Sequence, residues 1–242
     1  MLISLIRSGF STENVIIILM WIPIILLSLS FHESAHAYMA NKLGDPTAKN
    51  FGRCTLNPIS HLDPMGFLSM LIIGFGWAKP VPINARNFEN PRKGMALSSL
   101  AGPVSNLILA TASALLFSIF NGLYSFSPFY IINNPTAVEV LYYTAYFFYF
   151  GVWLNVSLAI FNFIPVPPLD GSRILGLILP AKYYFKYMKY ERYTGIAFAL
   201  IVIVLGYMNI SLISWIVNPV SDRIIQLFEA PVFVLFEKIW LS

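Results

Sequence analysis

The residues His-Glu-Ser-Ala-His at positions 32–36 combine side chains that can hold a metal ion with one that can move a proton. Residues four apart share one face of an α-helix, so His32 and His36 can present two imidazole nitrogens to the same ion. Glu33 lies beside them and can take a proton from water at that ion. This spacing is typical of zinc-dependent hydrolysis.

The motif lies at the end of an apolar run over residues 15–31 that is hydrophobic enough to enter a lipid bilayer. A simpler alternative is that two histidines on a helix surface flank a solvated glutamate. Ionisable groups at membrane depth are costly and usually functional, which favours the metal site.

Composition indicates an integral membrane protein. Of the 242 residues, 57% are hydrophobic and 11% are charged, whereas soluble domains have about 25% charged residues. No Gly/Ser-rich linker, low-complexity tract or internal repeat divides the chain, so a single membrane-embedded domain over residues 1–242 is predicted. The first apolar run has no signal-peptide cleavage site, and we expect it to remain as an anchor.

Apolar stretches long enough to span a bilayer as helices occur at about residues 14–43, 94–121, 137–164 and 194–217. They predict an all-α polytopic membrane protein with about four transmembrane helices. Residues 66–75 are apolar but too short to cross, which predicts a re-entrant or interfacial segment. Residues 221–242 either lie in the interface or form a fifth span. Residues 76–90 contain prolines and predict an extended loop, with either an edge strand at 78–83 or an ordinary surface loop.

Positive residues concentrate in two of the segments between spans, and such residues remain on the cytoplasmic side. They are Lys49, Arg53, Lys79, Arg86, Arg92 and Lys93 in the first, and Arg173, Lys182, Lys186, Lys189 and Arg192 in the second. Residues 121–135 carry no charge. Both termini are then outside if there are four spans. The metal motif and the chain after residue 164 reach the same cytoplasmic side and can share a site.

A catalytic zinc site normally needs three protein ligands, so two histidines require one more. Apart from acids at the outer helix ends and in the charged loops, the candidates are His61, Asp63, Cys54 and Asp170. Asp170 follows three prolines that end a helix and precedes Gly171, which permits a tight turn. The alternative is that Asp170 only caps the helix that follows at Ser172. The lone Cys54 is expected to be a packing residue.

Two further polar residues have more than one interpretation. His61 lies between prolines, and it either orients the site, holds the short apolar segment or replaces Asp170 as a ligand. Asn106 is the strongly polar member of a stripe of small residues in the second span, and it serves either helix packing or function.

The order of three segments, residues 32–36, 101–106 and 162–171, resembles the signatures of the site-2 protease family of intramembrane zinc metalloproteases. Residues 57–66 and 76–82 resemble its small bacterial branch, which lacks a PDZ or CBS domain. The resemblance implies a site-2 protease-like core over about residues 14–171. Residues 172–242 add no family motif.

The resemblance implies a role for each site residue. One zinc ion per chain would be held by three ligands: His32, His36 and Asp170. Glu33 would act as general base and acid, and Asn162 and Asn106 would hydrogen-bond the substrate or the developing oxyanion. The implied activity is cleavage of transmembrane protein substrates near the cytoplasmic face of a bacterial cytoplasmic membrane.

Two other functions compete with this one. A membrane zinc-binding or transport protein would use the same ligands but would not need Glu33 beside them, so Glu33 favours hydrolysis. A zinc hydrolase with a later glutamate as third ligand is disfavoured, because no glutamate after His36 lies in a comparable motif. Nucleic-acid binding is not expected, because the aromatic and basic cluster at 182–193 is typical of a lipid interface.

Overall fold

The computed structural model describes residues 11–73, 76–126, 134–207 and 212–240, and these ranges are mainly helical. Within them no β-strand occurs, and the one isolated bridge joins Leu62 and Ala78. The helices are α1 (Thr12–Lys42), α2 (Thr47–Asn50), α3 (Pro58–His61), α4 (Pro64–Ile73), α5 (Pro91–Phe126), α6 (Pro135–Phe163), α7 (Asp170–Ile174), α8 (Ala181–Met188), α9 (Glu191–Tyr207) and α10 (Leu212–Trp240).

Three helices of the described ranges are long and apolar enough to cross a membrane: α1, α5 and α6. They coincide with the first three predicted spans, and the all-α polytopic class is confirmed. The fourth predicted span, residues 194–217, falls on α9 and on the start of α10, and residues 208–211 lie outside the described ranges. The 17 residues of α9 extend about 26 Å, slightly less than a hydrocarbon core of about 30 Å.

The chain divides into two compact units. The first contains residues 1–106 and 158–211, and therefore every candidate site residue. The second contains residues 107–157 and 212–242. Within the second unit, Trp153 of α6 donates to Asn218 of α10 at 3.0 Å, and Asn121 of α5 donates to Glu229 at 3.1 Å. These bonds tie α10, which contains most of the predicted interfacial segment 221–242, to the other two helices of that unit.

The end of α1 is set by Gly44, whose φ of 105° is rarely adopted by other residues. The Gly44 N–H donates to Asn41 O at 3.2 Å, and the Asp45 N–H donates to Ala40 O at 2.9 Å. This pair of bonds is the Schellman arrangement, which satisfies carbonyls that a helix end would otherwise leave unpaired. The chain therefore leaves α1 in a tight turn at Gly44, and Asp45 follows directly.

The Asp45 carboxylate is fully buried and organises the loops next to the site. It accepts from the Thr47 N–H at 3.1 Å, from Asn84 N–H at 2.7 Å and from Asn87 Nδ2 at 2.7 Å. Burial alone raises the pKa of Asp45, but the hydrogen bonds from Thr47, Asn87 and Asn84 outweigh it, so this pKa lies below its ordinary value.

We expect Asp45→Ala to lower the thermal unfolding midpoint of the purified protein, because Thr47, Asn84 and Asn87 lose the buried carboxylate that joins them. Loss of hydrogen bonds to a charged group lowers the free energy of unfolding by about 1.5–3 kcal/mol. A depressed carboxyl pKa stabilises the fold above the ordinary aspartate pKa of about 3.9, and that contribution is lost as the pH falls through the folded value. The difference between wild type and variant should therefore be full at pH 7 and shrink at acidic pH. Glu89→Ala, at an exposed carboxylate nearby, serves as the control, and an equal loss there would contradict this role.

The short apolar segment forms α4, whose 10 residues extend about 15 Å and are too short to cross a bilayer. Residues 74 and 75 of the predicted segment lie outside the described ranges. A Cβ on Gly66 would lie 2.1 Å from the Trp77 carbonyl oxygen, and a Cβ on Gly76 would lie 2.2 Å from the Gly66 carbonyl oxygen. The two glycines therefore let the chain return closely along α4 toward the site.

The predicted edge strand at 78–83 forms one bridge, at Ala78, and is otherwise an irregular segment. Its prolines explain this, since Pro80 and Pro82 have no N–H to continue a ladder.

Candidate active site

The two histidines of the motif lie on one face of α1, as their spacing predicts, and both are buried. Their Nε2 atoms are 3.0 Å apart. Helical periodicity alone brings these two side chains together, because they are four residues apart in a continuous helix.

Asp170 completes a group of three. Its Oδ2 atom lies 3.2 Å from Nε2 of His32 and 3.2 Å from Nε2 of His36. Asp170 is the first residue of α7, and the residue in the capping position before it is Leu169. The carboxylate is thus directed at the histidines rather than used as the cap of the following helix.

The chain between α6 and α7 places Asp170 through a close backbone approach. A Cβ on Gly171 would lie 2.4 Å from the carbonyl oxygens of both Phe163 and Ile164. Gly171 is buried at the start of α7. Its small size therefore lets α7 begin directly against the end of α6, whereas the sequence pattern pointed to the flexibility of glycine in a turn.

The other ring nitrogen of each histidine is held by α5. His36 Nδ1 lies 2.7 Å from the carbonyl oxygen of Ser98 and donates to it, because a carbonyl can only accept. His32 Nδ1 lies 2.6 Å from Asn106 Oδ1, and the amide of Asn106 is oriented by donation from Nδ2 to Ser28 O at 3.4 Å. Both Nε2 atoms are then left with a lone pair, and each lies 3.2 Å from Asp170 Oδ2.

This donor set fits a zinc ion. Two imidazole lone pairs and a carboxylate oxygen within 3.2 Å of one another repel unless a proton or a cation lies between them. The Asp170 Oδ2 atom is buried and has no hydrogen-bond donor in the described part of the chain. A tetrahedral zinc ion with bonds of about 2.0–2.1 Å separates its ligands by about 3.3–3.4 Å, close to the observed spacing.

Gly102 of α5 provides the room for both rings. A Cβ there would lie 2.4 Å from Cε1 and 2.5 Å from Nε2 of His36, and 2.6 Å from Cε1 of His32. Gly102 belongs to the same stripe of small residues as Asn106, a pattern that favours close helix packing, but the neighbours that require the glycine are the rings of His32 and His36.

We expect Gly102→Ala to reduce bound zinc and to lower cleavage about 100-fold, because displaced ligands misplace the reacting groups. Alanine is about 1 kcal/mol more favourable than glycine in a helix, so the loss would not reflect a weaker α5. Metal analysis of the purified protein, together with a cleavage assay, checks this. Val104→Ala, on the exposed side of α5, is the matched control, and normal zinc content in Gly102→Ala would contradict the expectation.

Glu33 is half-buried one residue after His32, and its Oε2 accepts a hydrogen bond of 3.1 Å from the Val81 N–H. The loop that follows α4 thus reaches the side chain proposed to transfer protons. The sequence pattern contained no signal for this contact beyond the two prolines that flank Val81.

The remaining predicted residues lie around the group of three. His61 is fully buried, and its Nε2 lies 2.7 Å from Thr55 O and 3.3 Å from Ser34 Oγ of the metal motif. His61 therefore contacts the motif through Ser34 and does not belong to the group of His32, His36 and Asp170. Asn162 Nδ2 donates to Leu158 O of its own helix at 3.0 Å. Cys54 is exposed.

Asp63 also lies outside the group of three. Its Oδ1 accepts from the Gly66 N–H at 2.8 Å and so caps the start of α4. Of the four candidates for third ligand, Asp170 is therefore the one that the fold brings to the histidines.

Comparisons with known proteins agree with this chemistry. The model of the peptidase family M50 matches residues 126–206, which include Asn162 and Asp170. A Bacillus subtilis (strain 168) protein named "Putative zinc metalloprotease YwhC" is 42% identical over 212 residues, or 85% of this chain and 89% of the relative.

Two more distant relatives have similar names. "Putative zinc metalloprotease Rip2" of Mycolicibacterium smegmatis is 28% identical over 60% of this chain and 52% of the relative. "Zinc metalloprotease MJ0392" of Methanocaldococcus jannaschii is 26% identical over 81% of this chain and 45% of the relative. No solved structure matches the chain significantly. With apolar spanning helices, three converging side chains that could hold a metal ion and a relative of this similarity along most of its length, the chain belongs to peptidase family M50, the site-2 protease family of membrane metalloproteases.

Proposed function

We propose that this protein is an intramembrane zinc endopeptidase that cuts membrane-anchored proteins near the cytoplasmic face, as in regulated intramembrane proteolysis. The observation that carries the proposal is the convergence of His32, His36 and Asp170 within 3.2 Å, with Glu33 next to them on α1. One zinc ion per chain satisfies this ligand set, and zinc supplies Lewis acidity that activates water and polarises the scissile carbonyl.

Glu33 is proposed to receive the proton of the attacking water and to deliver it to the amine nitrogen when the C–N bond breaks. Asn106 orients His32 through its hydrogen bond to Nδ1, and the Ser98 carbonyl does the same for His36. Asn162 remains the residue proposed to bind the substrate or the oxyanion. His61 ties the motif to the loop at Thr55 and thereby supports the ligand geometry.

The proposed location follows from the positions of the ligands and from the charges. The histidines lie in the last turns of α1, and Asp170 lies seven residues after the end of α6. The positive loops flank these two helix ends, which supports an active site near the cytoplasmic side of a bacterial cytoplasmic membrane. Such a position also lets water reach the site.

The proposed substrates are transmembrane proteins with a weak helix near the cut. A transmembrane helix hides its carbonyls in internal hydrogen bonds, so the segment must unwind before attack. Residues of low helix propensity, such as glycine, reduce the cost of unwinding by up to about 1 kcal/mol each.

The test is cleavage in liposomes of a synthetic single-span polypeptide with a glycine-rich inner end. We expect cutting near that end, its loss when a chelator removes zinc, and its recovery when zinc is restored. Zinc flux across the liposome without cleavage would instead support the transport function and overturn the proposal. Cleavage that persists at full rate in zinc-depleted protein would also contradict it.

A further inference from the structure

The segment Pro80-Val81-Pro82 presents a single backbone donor to Glu33. Because proline has no N–H, Val81 carries the one amide hydrogen between Lys79 and Ile83. That hydrogen bonds to Glu33 Oε2, with 3.1 Å between the nitrogen and the oxygen. The donor comes from a segment 48 residues away in the chain.

Both ends of this segment are held by other hydrogen bonds. Before it, the Lys79 N–H donates to His61 O at 2.8 Å. After it, the Asn84 N–H donates to the buried Asp45 carboxylate at 2.7 Å. Each proline restricts its own φ, and each also keeps the preceding residue out of the helical region. The Val81 amide is therefore placed by a frame with little conformational freedom.

We propose that the Val81 backbone amide is a positioning group for Glu33. This role rests on the proposed function, in which Glu33 is the base. The amide holds one carboxylate oxygen of Glu33 so that the other oxygen faces the reacting water. A glutamate side chain on a helix has three rotatable bonds and would otherwise sample several orientations. Alignment of a base before reaction is one of the means by which an active site accelerates proton transfer.

The same contact bears on the predicted edge strand at 78–83, because an exposed edge can pair with an unwound substrate strand. The Val81 N–H is already used by Glu33, and the prolines at 80 and 82 have none to give. A substrate strand beside residues 80–82 would find carbonyl acceptors but no free backbone donor. The segment between Lys79 and Ile83 therefore positions Glu33. It cannot both donate and accept backbone hydrogen bonds along a substrate strand.

The first test is amide hydrogen exchange, which needs no substrate. The measurement uses zinc-loaded protein in detergent. Between Lys79 and Ile83 the exchange signal comes from Val81 alone, because the prolines have no amide hydrogen. We expect Val81 to exchange about 10- to 100-fold faster in Glu33→Ala, as for loss of a hydrogen bond to a charged group. Glu33→Gln, which keeps a carbonyl acceptor, should preserve most of the protection.

The Lys79 amide is the internal control, because it donates to His61 and not to Glu33. Its exchange should be the same in the wild type and in Glu33→Ala. Val81 exchange that does not change in Glu33→Ala would overturn the proposal. So would equal acceleration of Lys79 and Val81, because that would mean that the whole segment had separated. Neither result would bear on whether the protein is a protease.

The second test replaces the Val81 amide by an ester, through incorporation of the α-hydroxy analogue of valine. The ester keeps the side chain and removes only the donor. With the synthetic single-span polypeptide as probe, we expect kcat to fall about 10-fold while KM and zinc content stay unchanged. The same replacement at Lys79 removes a hydrogen bond of the segment without touching Glu33 and should affect kcat less. Equal effects of the two esters, or a faster Val81 ester, would overturn the positioning role.

Discussion

Replacing Glu33 with glutamine is expected to abolish proteolysis while zinc remains bound. The glutamine carbonyl can still accept the Val81 N–H, so the side chain keeps its place. It cannot accept a proton at neutral pH, and loss of general acid–base catalysis lowers rates by about 10²–10⁴-fold. The three proposed ligand atoms are unchanged, so the zinc content should equal that of the wild type.

Metal analysis and cleavage of the single-span polypeptide measure the two properties on the same preparation. Glu13→Gln makes the same chemical change at an exposed position in the first turn of α1 and should retain full activity. Full cleavage by Glu33→Gln would show that Glu33 is not the base. Loss of zinc from that variant would show instead that it acts through the metal site.

Replacing Asp170 with alanine is expected to weaken zinc binding itself, whereas Glu33→Gln is expected to lose proteolysis and keep zinc. Its Oδ2 atom is the third of three atoms that converge, and it carries the only negative charge among them. Removing residues that merely orient zinc ligands costs about 10- to 100-fold in affinity, so removing a ligand should cost at least about 100-fold. Cleavage should fall with zinc occupancy.

Competition with a chelator of known affinity measures the zinc dissociation constant of each variant. Asp63→Ala is the matched control, because Asp63 was also a candidate ligand but caps α4 by accepting from Gly66. It should bind zinc as the wild type does. An unchanged dissociation constant for Asp170→Ala would exclude Asp170 as a ligand and would reopen the choice of third ligand.

Much of the architecture follows from local patterns. Apolar length predicted α1, α5 and α6, because a helix that faces lipid needs about 20 apolar residues whatever its neighbours are. The fourth span was less well predicted, since residues 194–217 are divided between α9 and α10. The prolines correctly predicted that residues 76–90 form no long regular helix, although Ala85–Asn87 form a short 3-10 helix. They did not predict that the Val81 amide reaches Glu33.

Local sequence patterns did not predict which atoms pack closely around the site. A glycine is required at positions 102 and 171 for different reasons. Gly102 lies against imidazole rings, and Gly171 lies against backbone carbonyls. A sequence shows only that a residue is small. Which atoms approach it depends on how separate helices are arranged.

By itself, the sequence determined that His32 and His36 share one helix face, that Glu33 lies beside them and that this helix is apolar. These properties depend on spacing along one chain segment and on composition, which act over a few residues. The tertiary structure decided that Asp170 and not Asp63 or His61 joins the histidines, and that Asn106, Gly102 and Val81 surround them. Those contacts join residues 48 to 138 positions apart, and such distances are bridged only when the helices pack.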